Sequence, residues 1–274
     1  IVAGIINAFV AQIITQIGIN LIVAVGLNLV IGFTGQFSFG SAGFMAIGAY
    51  TSAIVTARLA PTWGTIFLSM LIGAIVAGVV AVIVGYPTLR LKGDYLAIAT
   101  LGVSEIIRIL IMNGGDLTNG AAGLSGIILF TDWGMTFIFA VVVIILILNF
   151  INSPSGRATL SVREDEIASE SMGVNVTRVK VIAFTLGAMV TAVAGSLYAG
   201  FIGTVTPKDF TWMKSVDALI IVVLGGLGSI TGTVIAAIIL GLLNMFLQDF
   251  GAIRMIIYSL VLLLVMIFRP GGFL

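Results

Sequence analysis

Neither cysteine nor histidine occurs anywhere in the 274 residues. Their absence excludes thiol nucleophiles, thiolate or imidazole metal sites and Ser-His-Asp triads within this chain, so no catalytic residue and no metal ligand set is assigned. The missing cysteine fits many compartments and identifies none. The stretch GLSG at Gly123–Gly126 sets a serine among glycines, but no histidine base exists to activate Ser125. No G-x-x-x-x-G-K-[ST] pattern occurs, which excludes a P-loop of the chain's own. Charge is also scarce. Only 8% of residues are Asp, Glu, Lys or Arg, against roughly a quarter in an ordinary soluble domain. A net charge of +1 leaves no nucleic-acid footprint, which needs clustered Lys and Arg.

What is abundant is oil. Hydrophobic residues make up 60% of the chain, too many for the remainder to form a polar surface, so the surrounding solvent is expected to be lipid. A helix crossing about 30 Å of hydrocarbon needs roughly 20 apolar residues. Segments that qualify fall at 13–33, 39–57, 64–86, 94–113, 133–151, 179–202, 233–249 and 252–268. A shorter run at 215–231 ends in LGGLGSITG and reads as broken or re-entrant. The expected fold is an all-α polytopic membrane bundle of eight or nine spans, one transmembrane domain over 1–274. The chain begins at Ile1 rather than Met, and further N-terminal residues are expected to precede it. Its opening apolar run lacks a basic n-region and outlasts a signal peptide, which makes it a membrane helix.

Orientation follows from Lys and Arg in the short loops. With 152–180 in the cytoplasm, Arg90, Lys92, Arg157, Arg163, Arg178, Lys180 and Arg269 lie inside, against Arg58, Lys208, Lys214 and Arg254 outside. The N-terminal end is then outside and the C-terminal end inside.

Eight of the chain's twenty-three charged residues lie between Ser153 and Lys180. Ser161 followed by Glu164 has the spacing of a capping box, and Glu164, Asp165 and Glu166 suit the first turn of a helix. Ile167, Ala168, Ser171 and Met172 share one face, Gly173 is a natural C′ residue, and Asn175 or Thr177 can cap the following span. A solvated positive-inside loop would need Lys and Arg alone. Four acids, two caps and an apolar stripe fit a docking element for a soluble partner.

Glycines punctuate two membrane stretches, GFTGQFSFGSAGFMAIGAY at Gly32–Tyr50 and GGLGSITG at Gly225–Gly232. Either the helix breaks there, which membrane depth tolerates only beside protein or a wet cavity, or small residues allow close helix packing. Paired Gly-interrupted segments point to a substrate site near the midplane in transporters.

In order along the chain, GLNLVIGFTGQFSFGSAGFMAIGAYTSA, LRLKGDYLAIATLGVSEIIRIL, SVREDEIASESMGVNVTRVKVIAFTLGA, VVLGGLGSITGTVIAA and IFRPGGFL resemble the motifs of the permease subunits of branched-chain amino-acid ABC transporters, of the LivM type. The resemblance implies a pore shared with a second, homologous permease subunit. It further implies two cytoplasmic ATP-binding-cassette subunits that hold ATP and Mg, and an extracytoplasmic solute-binding protein. This chain would carry no cofactor, contact membrane lipid and no nucleic acid, and sit in a bacterial or archaeal plasma membrane. Residues 161–173 resemble the coupling helix, with Arg163, Glu164, Asp165, Glu166, Ile167, Ala168, Glu170, Met172 and Gly173 as the coupling residues. They depart from the general importer motif E-A-A-x-x-x-G, because Glu166 and Gly173 are seven apart rather than six.

The translocation-path candidates are Gln36, Ser38, Ser41, Tyr95, Glu105 and Arg108. Glu105 and Arg108 share a helical face at i, i+3. Counted from Asp94, they lie about 16 and 21 Å into their span. They form either an ion pair that fixes helix register or a polar contact for a zwitterionic substrate. A secondary transporter or channel without ATPases is the rival class; it has no use for a dockable helix and more often carries ionisable residues for ion coupling. Urea or short amides are the rival cargo.

Overall fold

The computed structural model describes residues 8–59, 62–91 and 93–246. In chain order the helices are α1 (Ala8–Thr34), α2 (Ser41–Arg58), α3 (Trp63–Thr88), α4 (Asp94–Met112), α5 (Trp133–Asn152), α6 (Pro154–Glu164), α7 (Glu166–Ser171), α8 (Val176–Ile202), α9 (Trp212–Gly225) and α10 (Ile230–Phe246). Two short strands, β1 (Leu124–Ser125) and β2 (Thr204–Val205), pair antiparallel and tie the loop after α4 to the end of α8.

The centre is built from α1 and α8. Every residue of α1 from Leu21 to Thr34 is buried, as a helix apolar on all sides should be when protein surrounds it. Against α1, α2 and α3, α8 presents Ala183, Gly187, Ala188, Ala192, Gly195 and Ala199. These small residues bring backbones into contact, which is how helices associate where lipid removes the hydrophobic drive. A Cβ on Gly195 would overlap the Met45 carbonyl and lie 3.1 Å from the Ala49 nitrogen; one on Gly26 would lie 3.0 Å from the Gly187 carbonyl oxygen. Ser196 Oγ donates to the Gly48 carbonyl at 3.0 Å, and Ser52 and Ser69 join α2 to α3 at 3.1 Å. The outer face is inverted relative to a soluble protein: Leu71, Ile83, Ile98, Leu110, Phe137 and Leu146 all stand exposed on α3, α4 and α5.

Five helices, α1, α3, α4, α5 and α8, are long and apolar enough to cross a membrane. A sixth span exists if α9 and α10 are one, joined through residues 226–229 and bent by 120°. The expected eight or nine is therefore not reached among the described residues. Segment 252–268, Lys92, Arg254, Arg269, the IFRPGGFL motif and the end of 233–249 lie outside them. Segment 39–57 does form a helix, α2, but its Ser, Thr and Gly content keeps it less apolar. Protein rather than lipid surrounds it, and most of its residues are buried.

Between α1 and α2 the helix breaks, in line with the first glycine cluster. Gly35 takes φ +68°, a conformation open to glycine at no steric cost, and residues 35–40 are non-helical. Inside the bundle such backbone must find partners. Thr100 Oγ1 of α4 accepts the Phe39 N–H at 3.0 Å. Ser215 of α9 accepts the Ala42 N–H at 2.9 Å and donates to the Phe39 carbonyl at 2.8 Å. The second cluster, Gly225–Gly232, also breaks, and it packs closely too. A Cβ on Gly225 would lie 2.6 Å from the Gly232 carbonyl carbon.

Candidate functional site

The charged segment folds as two helices rather than one. Ser153 caps α6 through the Gly156 N–H at 3.2 Å with Pro154 in the first turn, a start signal in which proline's missing N–H costs nothing. The Ser161–Glu164 capping box does not form. Ser161 lies inside α6 and its hydroxyl donates to the Ala158 carbonyl. Asp165 ends α6 and caps α7 instead, accepting the Ile167 and Ala168 N–H groups at 2.9 Å each. A carboxylate is at least as good an N-cap as a hydroxyl, and the positive end of the helix favours it further.

The far end matches expectation. Gly173 takes φ +85°, and the Gly173 and Val174 N–H groups bond the Glu170 and Ser169 carbonyls at 2.9 and 3.1 Å. That pair of bonds is a Schellman motif. Asn175 then caps α8 through the Arg178 N–H at 2.9 Å. Lys180 of α8 pairs with Glu166 at 3.1 Å and pins α7 to the bundle. Ile167 is 76% and Met172 85% exposed; Ala168, Glu170, Ser171 and Glu164 are exposed too. The apolar stripe thus faces outward from a helix held at both ends.

Arg163 points the other way. Its Nη1 donates to the Gly32 carbonyl near the end of α1 at 2.7 Å. Gly228, in the break between α9 and α10, lies so close that a Cβ there would be 2.6 Å from Arg163 Nη1. Asn28 of α1, fully buried, clasps the same break. Its Oδ1 accepts the Gly228 N–H at 2.9 Å, and its Nδ2 donates to the Ser229 carbonyl at 3.0 Å and to Thr233 Oγ1 at 2.8 Å. The charged segment, the end of α1 and the α9–α10 break therefore meet at one point. Asn28 and this junction were missed from sequence; a carboxamide in the all-apolar second half of a span was the signal available.

The path candidates do not form one cluster. Ser38 and Ser41 share a cavity of about 10 Å³ between α1, α2 and α8, and Ser41 Oγ has no hydrogen-bond partner among the described residues. Gln36 is 3% exposed, with both polar side-chain atoms unpartnered among the described residues. It lines a different cavity, beside Arg163, Glu166 and Lys180. Tyr95 stands 74% exposed near the start of α4. Glu105 and Arg108 do meet: Arg108 Nε and Nη2 lie 2.8 and 2.7 Å from Glu105 Oε2, each side chain about a quarter exposed. Lys214, counted with the outer loops, lies inside the first turn of α9, with its ammonium 3.5 Å from Asn20 Oδ1 and 5.7 Å above the Tyr198 ring. Among the described residues, no three Asp or Glu side chains are grouped to hold a metal ion.

A lipid-facing helical bundle with two glycine-broken segments and a capped element standing off one end is the architecture of a multi-pass membrane protein. Residues 9–269 match the family model of the branched-chain amino acid transport system permease component, and the chain belongs to that family. It is 37% identical, over 89% of its length, to the high-affinity branched-chain amino acid transport system permease protein LivM of Salmonella typhimurium, and spans 64% of that protein. LivH of the same organism, also a permease protein of such a system, is 31% identical over 52% of this chain and 46% of its own length. PsaBC from Streptococcus pneumoniae, solved in complex with Fab, shares the fold with a TM-score of 0.52 at 16% identity, covering 95% of this chain and 91% of that one.

Proposed function

We propose that this chain is one of two permease subunits of an ATP-driven importer that carries amino acids, branched-chain neutral ones foremost, into the cytoplasm of a bacterium or archaeon. The second permease is a homologue; the likeness to both LivM and LivH supports a pore built from two related chains. Two ATPase subunits bind the cytoplasmic end and hold ATP and Mg, and a solute-binding protein delivers cargo outside. The chain itself performs no chemical step.

The outward apolar stripe of α7 carries the reading. Ile167 and Met172 are among the most exposed large apolar side chains of the described residues, and they lie on the most charged segment of the chain. Burying both in a partner groove would stabilise the complex by about 1.5–3 kcal/mol for each side chain fully covered. The capped, ion-paired α7 loses little conformational freedom on docking, and Arg163 links its movement to Gly32 and the α9–α10 break. Gln36, Ser38, Ser41, Tyr95, Glu105 and Arg108 stay path candidates in this scheme.

The test is affinity purification of the tagged chain from its own membranes, with ATP-binding-cassette chains identified by sequence, followed by leucine uptake in proteoliposomes. Changing Ile167, Ala168 and Met172 together to Asp should abolish ATPase recovery and uptake while the chain still inserts. Wild-type recovery and uptake from that variant would leave α7 as a solvated loop and sink the coupling role.

A further inference from the structure

We infer that the cavity between the end of α5 and the starts of α6 and α8 binds the headgroup of an anionic phospholipid. The cavity holds about 440 Å³, within the range of small-molecule sites, about 300–1,000 Å³. Among the described residues lining it, Arg178 is the only charged one, so nothing in the wall balances its charge. The cavity beside Gln36 differs, because Glu166 lines it together with Arg163 and Lys180. The other basic residues of the charged segment are engaged. Arg157 Nη1 donates to the Asn152 carbonyl at 2.8 Å, Arg163 Nη1 donates to the Gly32 carbonyl, and Lys180 pairs with Glu166. Arg178 bonds through its backbone N–H to Asn175 Oδ1, while its exposed guanidinium has no partner among the described residues. Asn175 and Ser155 line the same cavity. With Oδ1 engaged, Asn175 offers the two N–H donors of its amide, and Ser155 adds a hydroxyl. A phosphodiester accepts hydrogen bonds and donates none, so a guanidinium, an amide NH₂ and a hydroxyl suit it.

The cavity also lies at the level of the lipid headgroups. Toward its end α5 presents Leu146 and Leu148, 58% and 42% exposed, and then turns polar at Asn149 and Asn152, both exposed. The neighbouring helices give the same level. Just past α3, Arg90 stacks 4.8 Å from the Tyr86 ring centre, and such aromatic and basic residues collect at membrane surfaces. Helices α3 and α8 run antiparallel, since Gly73 lies against Ser196 and Gly85 against Phe184. Arg178 is about 9 Å along α8 from Phe184, toward the end where Tyr86 and Arg90 stand. Phe150, Val179 and Ile182 complete the wall with hydrocarbon, which suits the glycerol end of the acyl chains. An arginine that only oriented the chain would need neither a cavity nor donors around it. Basic pockets between membrane helices hold anionic headgroups in this manner.

The experiment reconstitutes the complete importer in vesicles of phosphatidylethanolamine and phosphatidylglycerol. The probe is a phosphatidylglycerol with a diazirine on its acyl chain close to the glycerol. Adducts should map to peptides from the end of α5 and the starts of α6 and α8. They should fall with added unlabelled phosphatidylglycerol and persist with phosphatidylcholine. Arg178→Gln should lower them about fivefold or more, the attraction of one basic residue at an anionic surface, and Arg178→Lys should keep most of them. Ser155→Trp fills the cavity without touching the charge and should lower them as far. Arg157→Gln removes an equal charge from outside the cavity and should leave them within about twofold. No adducts on these peptides in the wild-type importer would overturn the site. So would an undiminished signal in Arg178→Gln, or an equal loss in Arg157→Gln, which assigns the signal to diffuse surface charge. Displacement by millimolar inorganic phosphate would assign the cavity to a free anion, and adducts that appear only when the ATPase chains are absent would assign it to a subunit contact; either overturns the lipid site. The site is independent of the solute carried, so leucine uptake and lipid labelling can fail separately.

Discussion

Replacing Asn28 with Leu should destabilise the junction of α1 with the α9–α10 break by about 2–4 kcal/mol. The magnitude comes from counting what each lost bond leaves behind. The part-buried Gly228 N–H loses the Oδ1 acceptor, and an unpaired donor costs about 1–3 kcal/mol where water cannot reach it. The Ser229 carbonyl loses Nδ2 but still accepts from the Thr233 N–H and hydroxyl, so only the bond's own small net contribution disappears there. The same holds for Thr233 Oγ1, which keeps its bond to Ser229. Side-chain hydrogen bonds between membrane helices average about 0.6 kcal/mol, so these two add roughly 1 kcal/mol. Thr233→Val is the internal control: it removes the hydroxyl without orphaning a backbone group, and should cost under about 1 kcal/mol. Equilibrium unfolding in mixed detergent micelles reads both variants against wild type. If Asn28→Leu costs no more than Thr233→Val, the stranded Gly228 N–H is not the dominant loss and the clasp is incidental.

Two further outcomes are specified. Because the chain has no cysteine, Arg157→Cys on the exposed start of α6 gives a single label site. It should react with an impermeant thiol reagent in inverted vesicles and not in intact cells; labelling from outside would reverse the orientation. In a double-mutant cycle, Glu105→Gln and Arg108→Gln should each impair assembly more than the double replacement does, because one partner alone strands a charge worth about 2.5–3.5 kcal/mol at membrane depth. A double variant that assembles but does not transport assigns the pair to the path; one that assembles and transports normally removes it from both roles.

Local signals in the sequence proved reliable where the competition was local. Gly173 and Asn175 act within two or three residues of themselves, and both caps formed as expected. The Ser161 box failed for an equally local reason. Ser153-Pro154 had already started α6, so Ser161 met the break from inside a helix, and Asp165 stood one residue past its end with a better acceptor. The glycine clusters marked both breaks, since φ near +68° at Gly35 or +87° at Gly228 is open to few other residues. Nothing near Asn28 in the chain announced its partners two hundred positions away. Lys214, counted outside, stands in the first turn of α9, where its aliphatic stem lets it lie against Asn20 and Tyr198. Long-range polar contacts of this kind depend on which faces meet, and periodicity does not encode that in so uniformly apolar a chain.

The backbone contacts along α8 carry a consequence for how such a protein can diversify. Where Gly195 meets Met45 and Gly48 meets Ala192, the spacing is set by main chain rather than by side-chain size. No replacement, alanine included, fits there without moving a helix, so these positions offer no gradation between tolerated and lethal. Under the proposed transport role, variation in cargo would be written elsewhere, on α4, α9 and α10, whose exposed positions can change one at a time. The hub of α1, α2, α3 and α8 would be inherited nearly whole, and different solutes would be served by re-lettering its rim.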